Sequence, residues 1–224
     1  MTGTFMDTPI GRTIPVSPRH RALSMLIAIA IVAADLVLSW KGQYMTPYRL
    51  GFLFVALMAY GTFARWDSGA LGLTLRPVQG IRYWIIAALV IGGAMLVLML
   101  VSMPILRIFG RGFTLPSRAP SDVFPWFYFA CINAPILEEL VYRFILCVPL
   151  TAVCGAWVAI VLSGVAFAGL HFVTGVASPD NVIGGFFLAW AFLKSGSIAI
   201  PMVLHALGNA CILGAELGMW YWHG

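Results

Sequence analysis

Residues 134–143 read Ala-Pro-Ile-Leu-Glu-Glu-Leu-Val-Tyr-Arg, so two adjacent carboxylates and a guanidinium interrupt a stretch that is otherwise apolar. A charged side chain at the centre of a membrane helix costs about 2.5 kcal/mol or more, and such side chains usually face the interior of a bundle or a water-filled cavity. Glu138, Glu139 and Arg143 are therefore a candidate functional site within a membrane.

The composition of the whole chain is that of a membrane protein. Hydrophobic residues make up 61% of the 224 residues, charged residues make up 9%, and the mean hydropathy is +0.95. Ordinary soluble domains contain about 25% charged residues. At roughly 20 apolar residues per crossing, the chain has room for about seven spans, with a range of about six to eight. The sequence predicts an all-α fold, a polytopic transmembrane helical bundle.

The apolar pattern divides the chain into a tail and one membrane domain. Residues 1–21 are polar and end in a basic cluster, which predicts a flexible N-terminal tail. Apolar runs begin at Ala22 and recur to the C-terminus, separated by polar linkers at residues 65–82 and 107–121. We therefore predict a single transmembrane domain over residues 22–224, with a catalytic core at about residues 124–217.

The net charge of +5 is spread along the chain. Lysines and arginines occur in the tail and in the connecting loops, and no segment gathers them on one face. Loop charges of this kind are explained by membrane topology. We predict the lipid bilayer as a partner and no binding of nucleic acid.

The spacing of the three charged residues separates the two glutamates. Arg143 follows Glu139 by four residues, which in a helix puts the two side chains on one face, about 6 Å apart along the axis. Glu138 is turned by about 100° toward a different neighbour. One carboxylate is then structural and the other catalytic. The alternative is an ion network that only holds helices together, which is a poor use of buried charge because desolvation offsets the attraction.

Two further helices carry polar pairs at a spacing of four residues. Phe167-Ala-Gly-Leu-His171 ends an apolar run, and His205-Ala-Leu-Gly-Asn209 lies within the last long one. Taken singly, His171 is typical of a satisfied helix-end residue, and the other pair is typical of interhelical hydrogen bonding. Taken with the glutamates, they supply a carboxylate, two imidazoles and an amide, the groups from which a hydrolytic site is assembled.

Two other acidic residues of the apolar runs are interpreted as ordinary membrane-boundary residues. Asp35 lies late in the first run and is expected to reach the membrane interface, and Glu216 lies near the end of the last run. Side chains in such positions usually extend their charged ends toward water.

The three motifs together resemble the CPBP intramembrane proteases, which include the type II CAAX prenyl endopeptidases and the bacterial Abi-type proteins. The family pattern is Glu-Glu-x-x-x-Arg, then Phe-x-x-x-His, then His-x-x-x-Asn, and these stand here in that order at residues 138–143, 167–171 and 205–209. The similarity includes Ser195-Gly-Ser-Ile198 and covers roughly residues 125–210. Many members carry glycine where this chain has Phe144, a difference that we expect to affect packing.

The resemblance implies a glutamic-type intramembrane endopeptidase that needs no cofactor. In such an enzyme, Glu138 with His171 nearby activates a water molecule for attack on a peptide carbonyl. His205 and Asn209 stabilise the oxyanion that develops. Three supporting residues, Glu139, Arg143 and Phe167, surround this catalytic set.

A zinc mechanism is the direct competitor, because a glutamate and two histidines can also bind Zn²⁺. Zinc peptidases usually carry His-Glu-x-x-His on one helix, and that motif is absent from this sequence. Catalysis without a metal is favoured, and zinc stays the alternative.

Two other classes of protein compete with an enzyme. A non-catalytic membrane scaffold or immunity protein would keep the fold without turnover, and this is the second interpretation. A transporter would also carry ionisable residues near the midplane, but many transporters contain inverted repeats and none is apparent in this sequence.

The resemblance allows three classes of membrane-associated substrate. These are a CAAX-like prenylated tail, a peptide precursor, and an anchored protein from which a C-terminal sorting signal is removed. The small size and the short loops are typical of a prokaryotic protein, so the predicted location is a prokaryotic cytoplasmic membrane.

Overall fold

The computed structural model describes residue 10 and residues 18–42, 46–110 and 116–223. In this part of the chain all regular structure is helical, apart from isolated bridges between residues 73–74 and Ser197. The elements in chain order are α1 (Pro18–Trp40), α2 (Thr46–Phe63), α3 (Ile81–Ile108), α4 (Pro120–Phe127), the π-helix π1 (Tyr128–Asn133), α5 (Ala134–Glu139), the π-helix π2 (Leu140–Cys147), α6 (Val148–Cys154), α7 (Ala156–Val173), α8 (Pro179–Ser195) and α9 (Ala199–His223). The all-α class is confirmed.

Four of the described helices are long and apolar enough to cross a membrane. They comprise residues Pro18–Trp40, Ile81–Ser102, Ala156–Val173 and Ala199–Trp222. The predicted number of about seven spans is not confirmed. The third predicted span began near Tyr83, and the structure places there the most apolar of the four, with a mean hydropathy of 2.7 and Trp84 as its one buried residue. A helix that is apolar on all sides and little covered by protein is typical of a membrane span that faces lipid.

The first helix begins inside the segment that was predicted to be a tail. Pro18 opens α1, at a position where proline is favoured because its missing N–H needs no helical partner. Ile10 is fully buried and belongs to the main hydrophobic core. The other residues before Pro18 lie outside the described part, so the division into a tail and one membrane domain stays a prediction.

The run that was predicted as one span from Phe124 to Leu146 is helical but irregular. Two π-helical segments flank the six-residue α5, so the chain from Pro120 to Cys154 changes its helical pitch four times. π-helical turns are rare and occur often at functional sites. Here they bracket the segment that ends in Glu138 and Glu139.

Helices α7 and α8 form a tightly packed hairpin because two glycines face two phenylalanines. A Cβ on Gly164 would lie 2.5 Å from the ring of Phe186, and one on Gly185 would lie 2.9 Å from Phe167. Neither distance is tolerated in a packed protein, so larger residues would separate the helices. The small residues therefore allow α8 to approach the helix that carries His171.

A loop of the N-terminal half is fastened to the turn between α8 and α9. Ile198 N donates to Gly72 O at 2.8 Å, and Thr74 Oγ1 donates to Gly196 O at 2.8 Å. Gly72 has a φ of +67°, and a Cβ there would lie 2.5 Å from Phe192. This contact fixes where α9 starts, and so where its His205 and Asn209 lie.

Candidate active site

The two adjacent glutamates are buried at the end of α5. Glu138 is 3% exposed and Glu139 is fully buried. Pro135 opens this short helix, and the π-helical segment that follows carries Arg143. The run therefore brings three charges into the protein interior, where each needs a partner.

Glu139 and Arg143 form the ion pair that their spacing predicts. Arg143 Nε lies 2.9 Å from Glu139 Oε2 and both side chains are fully buried, although the contact is too bent to count as a hydrogen bond. Arg143 also donates from Nη2 to Gly185 O at 3.2 Å and lies 4.8 Å above the ring of Phe167. The guanidinium thus joins the motif to the α7–α8 hairpin.

The second oxygen of Glu139 holds a histidine. His205 Nδ1 lies 2.9 Å from Glu139 Oε1, so the ring donates a hydrogen bond to the carboxylate. A carboxylate bound to one ring nitrogen fixes the tautomer and the direction of the other. The sequence did not predict this contact, because Glu139 and His205 are 66 residues apart.

Glu138 lies between the imidazole of His205 and the guanidinium of Arg49. Its Oε2 is 4.0 Å from His205 Nε2, and its Oε1 is 4.0 Å from Arg49 Nη1. Both separations exceed direct hydrogen-bonding distance and are lengths at which a bridging water is expected. Glu139 and Glu138 therefore contact opposite nitrogens of the same imidazole.

Arg49 belongs to a buried cluster that sequence reasoning missed. It pairs with Asp35 through Nε–Oδ1 at 2.7 Å and Nη2–Oδ2 at 3.0 Å, and the Tyr142 hydroxyl donates to Asp35 Oδ2 at 3.0 Å. The interpretation of Asp35 as an interfacial residue is wrong, since it is 2% exposed. Its partner Arg49 is the available signal, because an Asp and an Arg in successive apolar runs are each costly when unpaired.

His171 and Phe167 lie one helical turn apart, as their spacing predicts. His171 Nδ1 is 3.0 Å from Phe167 O. The Phe167 ring lies 4.6 Å from the His171 ring and 5.7 Å from the His205 ring, measured between centroids. Phe167 is thus the apolar contact that both imidazoles share.

Asn209 contacts the first π-helix. Its Nδ2 donates to Ala130 O at 2.6 Å. A side-chain amide has two N–H groups, so one donor is left after this bond. The carbonyl of a π-helical segment thus orients the residue that was predicted to stabilise an oxyanion.

All four predicted catalytic residues line one cavity of about 700 Å³. Glu138, His171, His205 and Asn209 contribute to its wall, whereas the supporting residues Glu139, Arg143 and Phe167 do not. Helix ends and loops form one part of the wall, here called the cavity mouth: Trp40, Gly42, Pro116, Arg118, Thr174, Gly175, Val176 and Ser178. The volume is within the usual range of ligand pockets, about 300–1,000 Å³.

An ion pair lies at the cavity mouth. Arg118 Nε is 2.6 Å from Glu216 Oε2, and the guanidinium lies 4.1 Å above the ring of Trp126. Glu216 is 6% exposed, so the expectation that it extends into water at a helix end is wrong. The pair connects the segment before α4 to α9.

The described residues do not form a ready-made metal site. No group of three or more His, Cys, Asp and Glu side chains in the described ranges is arranged to hold a metal ion. One nitrogen of His205 is already bound to Glu139.

A comparison with known protein families finds a match in the second half of the chain. Residues 120–211 match the family model described as Rce1-like, type II CAAX prenyl endopeptidase Rce1-like. The match contains all three motifs and confirms the resemblance to the CPBP and CAAX protease family. Comparisons with the curated proteins and with the solved structures found no match.

Proposed function

We propose that this chain, whose residues 120–211 match the Rce1-like family of CAAX proteases, is an intramembrane endopeptidase in which Glu138 activates a water molecule. The family match and the apolar helices together indicate an integral membrane protein with peptidase activity on a membrane-associated substrate. The observation that carries the proposal is the convergence of Glu138, His171, His205 and Asn209 on one cavity.

In the proposed reaction, a water molecule beside Glu138 attacks the carbonyl carbon of the scissile peptide bond. The carboxylate accepts the proton of this water as a general base. The same proton then passes to the leaving amine as the C–N bond breaks. The 4.0 Å separation between Glu138 and His205 supports this assignment, because it leaves space for a water in contact with both groups.

The oxyanion of the tetrahedral intermediate forms beside His205 and Asn209. Glu139 accepts a hydrogen bond from His205 Nδ1, and the protonated imidazole that this proposed step requires donates from Nε2 toward the oxyanion. Asn209 adds its second N–H, since the first is bound to Ala130. His171 faces the same cavity and orients the water together with Glu138.

Catalysis in this proposal needs no metal ion. It is supported by the bond between Glu139 and His205, which occupies one ring nitrogen of that histidine. Dialysis of the purified protein against a strong zinc chelator should leave turnover unchanged. Loss of turnover that stoichiometric zinc restores would contradict it.

The proposed substrates are an extended segment of a CAAX-like tail, a peptide precursor or a C-terminal sorting signal. The aromatic side chains of Trp40, Trp126 and Phe129 line the cavity with Glu138 and suit an apolar peptide or lipidated tail. The proposed location is a prokaryotic cytoplasmic membrane.

The deciding experiment compares newly formed protein termini in membranes from cells carrying the wild-type chain and Glu138→Gln. Asp122→Asn is the matched control, because it neutralises an exposed acid of the same helical run. Termini that are present with the wild type and Asp122→Asn but missing with Glu138→Gln would support the proposal and identify the substrate. Identical termini in all three samples, with the variants folded, would favour the non-catalytic scaffold.

A further inference from the structure

The N-terminal helices contribute a permanent charge to the candidate active site. Arg49 lies in α2, outside the family match at residues 120–211, yet its Nη1 is 4.0 Å from Glu138 Oε1. The Arg49 side chain is 4% exposed. Arginine is not deprotonated in proteins, so this positive charge is present at every working pH.

The direction of the guanidinium is fixed by its other partners. Asp35 binds the edge formed by Nε and Nη2 in a bidentate pair, and Tyr142 donates to the same carboxylate. A bidentate arginine–carboxylate pair is geometrically specific as well as strong. With this edge occupied, the remaining Nη1 is the nitrogen that approaches Glu138.

We infer that Arg49 is a positioning residue for Glu138: held by Asp35 and Tyr142, its guanidinium attracts the carboxylate and keeps it directed into the cavity. This inference rests on the proposed function for its catalytic meaning, but the contact itself can be tested without turnover. A cation within about 4–6 Å favours the charged form of a carboxyl group. An ionised Glu138 is the form that accepts a proton from water.

Other charged and titratable groups surround the same carboxylate. They come from the elements packed around α5 and from the cavity wall: His205 of α9, Tyr142 and Arg143 of π2, Glu139 of α5, His171 of α7, Cys131 of π1, and Asp35 of α1 behind Arg49. Among them, Arg49 and His205 each have a nitrogen 4.0 Å from a carboxylate oxygen of Glu138. Arg49 differs from His205 because its charge does not depend on pH.

The test measures the protonation of Glu138 directly. The full chain is reconstituted in liposomes, and its carboxyl infrared band is followed against pH, with the same protein carrying Glu138→Gln subtracted. Three backgrounds are compared: wild type, Asp35→Asn, and Asp35→Asn with Arg49→Met. The double substitution removes both members of a buried pair, so it avoids the cost of leaving one buried charge bare.

Compared with the wild type, the single and the double substitution should shift the titration of Glu138 in opposite directions. Asp35→Asn frees the Arg49 charge from its partner, so Glu138 should stay ionised to lower pH. The double variant lacks that charge, so Glu138 should take up its proton at a pH higher by about one unit or more. Arg82→Met is the control for the loss of an arginine charge, since Arg82 is an exposed residue of α3 and its removal should leave the titration where it is.

Titrations that coincide in wild type and the double variant would overturn the inference. If Arg49 has a purely structural role, the double variant should lose stability while the titration of Glu138 stays unchanged, and that result would also overturn the inference. The outcome is separate from that of the proposed function: if Glu138→Gln leaves cleavage intact, the endopeptidase mechanism fails while the Arg49 contact still stands or falls on its own titration.

Discussion

The cavity mouth and the layer behind the cavity wall, here called the floor, each contain an arginine–glutamate pair, but the two pairs differ in burial. Behind the cavity wall, the side chains of Glu139 and Arg143 are fully buried, and Arg143 Nε lies 2.9 Å from Glu139 Oε2. At the cavity mouth, the side chains of Arg118 and Glu216 are 18% and 8% exposed, and Arg118 Nε lies 2.6 Å from Glu216 Oε2. The deep pair cannot exchange its partners for water, whereas the pair at the mouth can. The same chemistry therefore fixes the site in one place and leaves it adjustable in the other.

Removing the cation of the deep pair should have the largest effect on stability. Arg143→Met leaves the Glu139 carboxylate buried without its ion-pair partner, which should lower the free energy of unfolding by about 3–5 kcal/mol. Thermal unfolding in detergent measures this loss. The double variant Glu139→Gln, Arg143→Met should recover part of it, and a double variant no more stable than Arg143→Met would contradict the assignment.

Neutralising the acid of the deep pair should affect turnover. Glu139→Gln keeps an oxygen that accepts from His205 Nδ1 but loses the charge that favours the imidazolium. By analogy with partners that orient catalytic ligands, kcat should fall about 10- to 100-fold. Turnover of a substrate identified by the comparison of termini checks this, with KM as the internal control. A change in KM alone would show that Glu139 acts on substrate binding instead.

Breaking the pair at the mouth should have the smallest effect on stability. Arg118→Met should cost about 1–3 kcal/mol, less than Arg143→Met, because Glu216 loses its ion-pair partner but lines the cavity. The same thermal unfolding experiment measures it beside Arg143→Met. If the two substitutions destabilise equally, burial does not distinguish the floor from the mouth.

Contacts within one helical turn were predictable, and contacts between helices were not. The Glu139–Arg143 pair and the Phe167–His171 contact both follow from a spacing of four residues. The Glu139–His205 and Asn209–Ala130 bonds join segments 66 and 79 residues apart. No local pattern states which helices will be neighbours, and so the role of Glu139 in orienting His205 was missed.

The charged residues of the N-terminal half show the same limit. Asp35 and Arg49 lie in separate helices, 14 positions apart along the chain, so neither periodicity nor spacing relates them. Asp35 was given the ordinary explanation for a charge near the end of an apolar run, and Arg49 was not singled out. Their pairing became visible only when α1 and α2 were seen side by side against Tyr142.

The amino-acid sequence by itself determined the helical class, the membrane setting and the set of chemical groups in the candidate site, because hydrophobicity and helical spacing are local properties. The tertiary structure decided which of those groups meet. It placed Glu138 between His205 and Arg49, and it turned Asp35 and Glu216 inward. The physical reason is that a buried charge must find a partner, and the partner is chosen by helix packing over distances along the chain that no local pattern records.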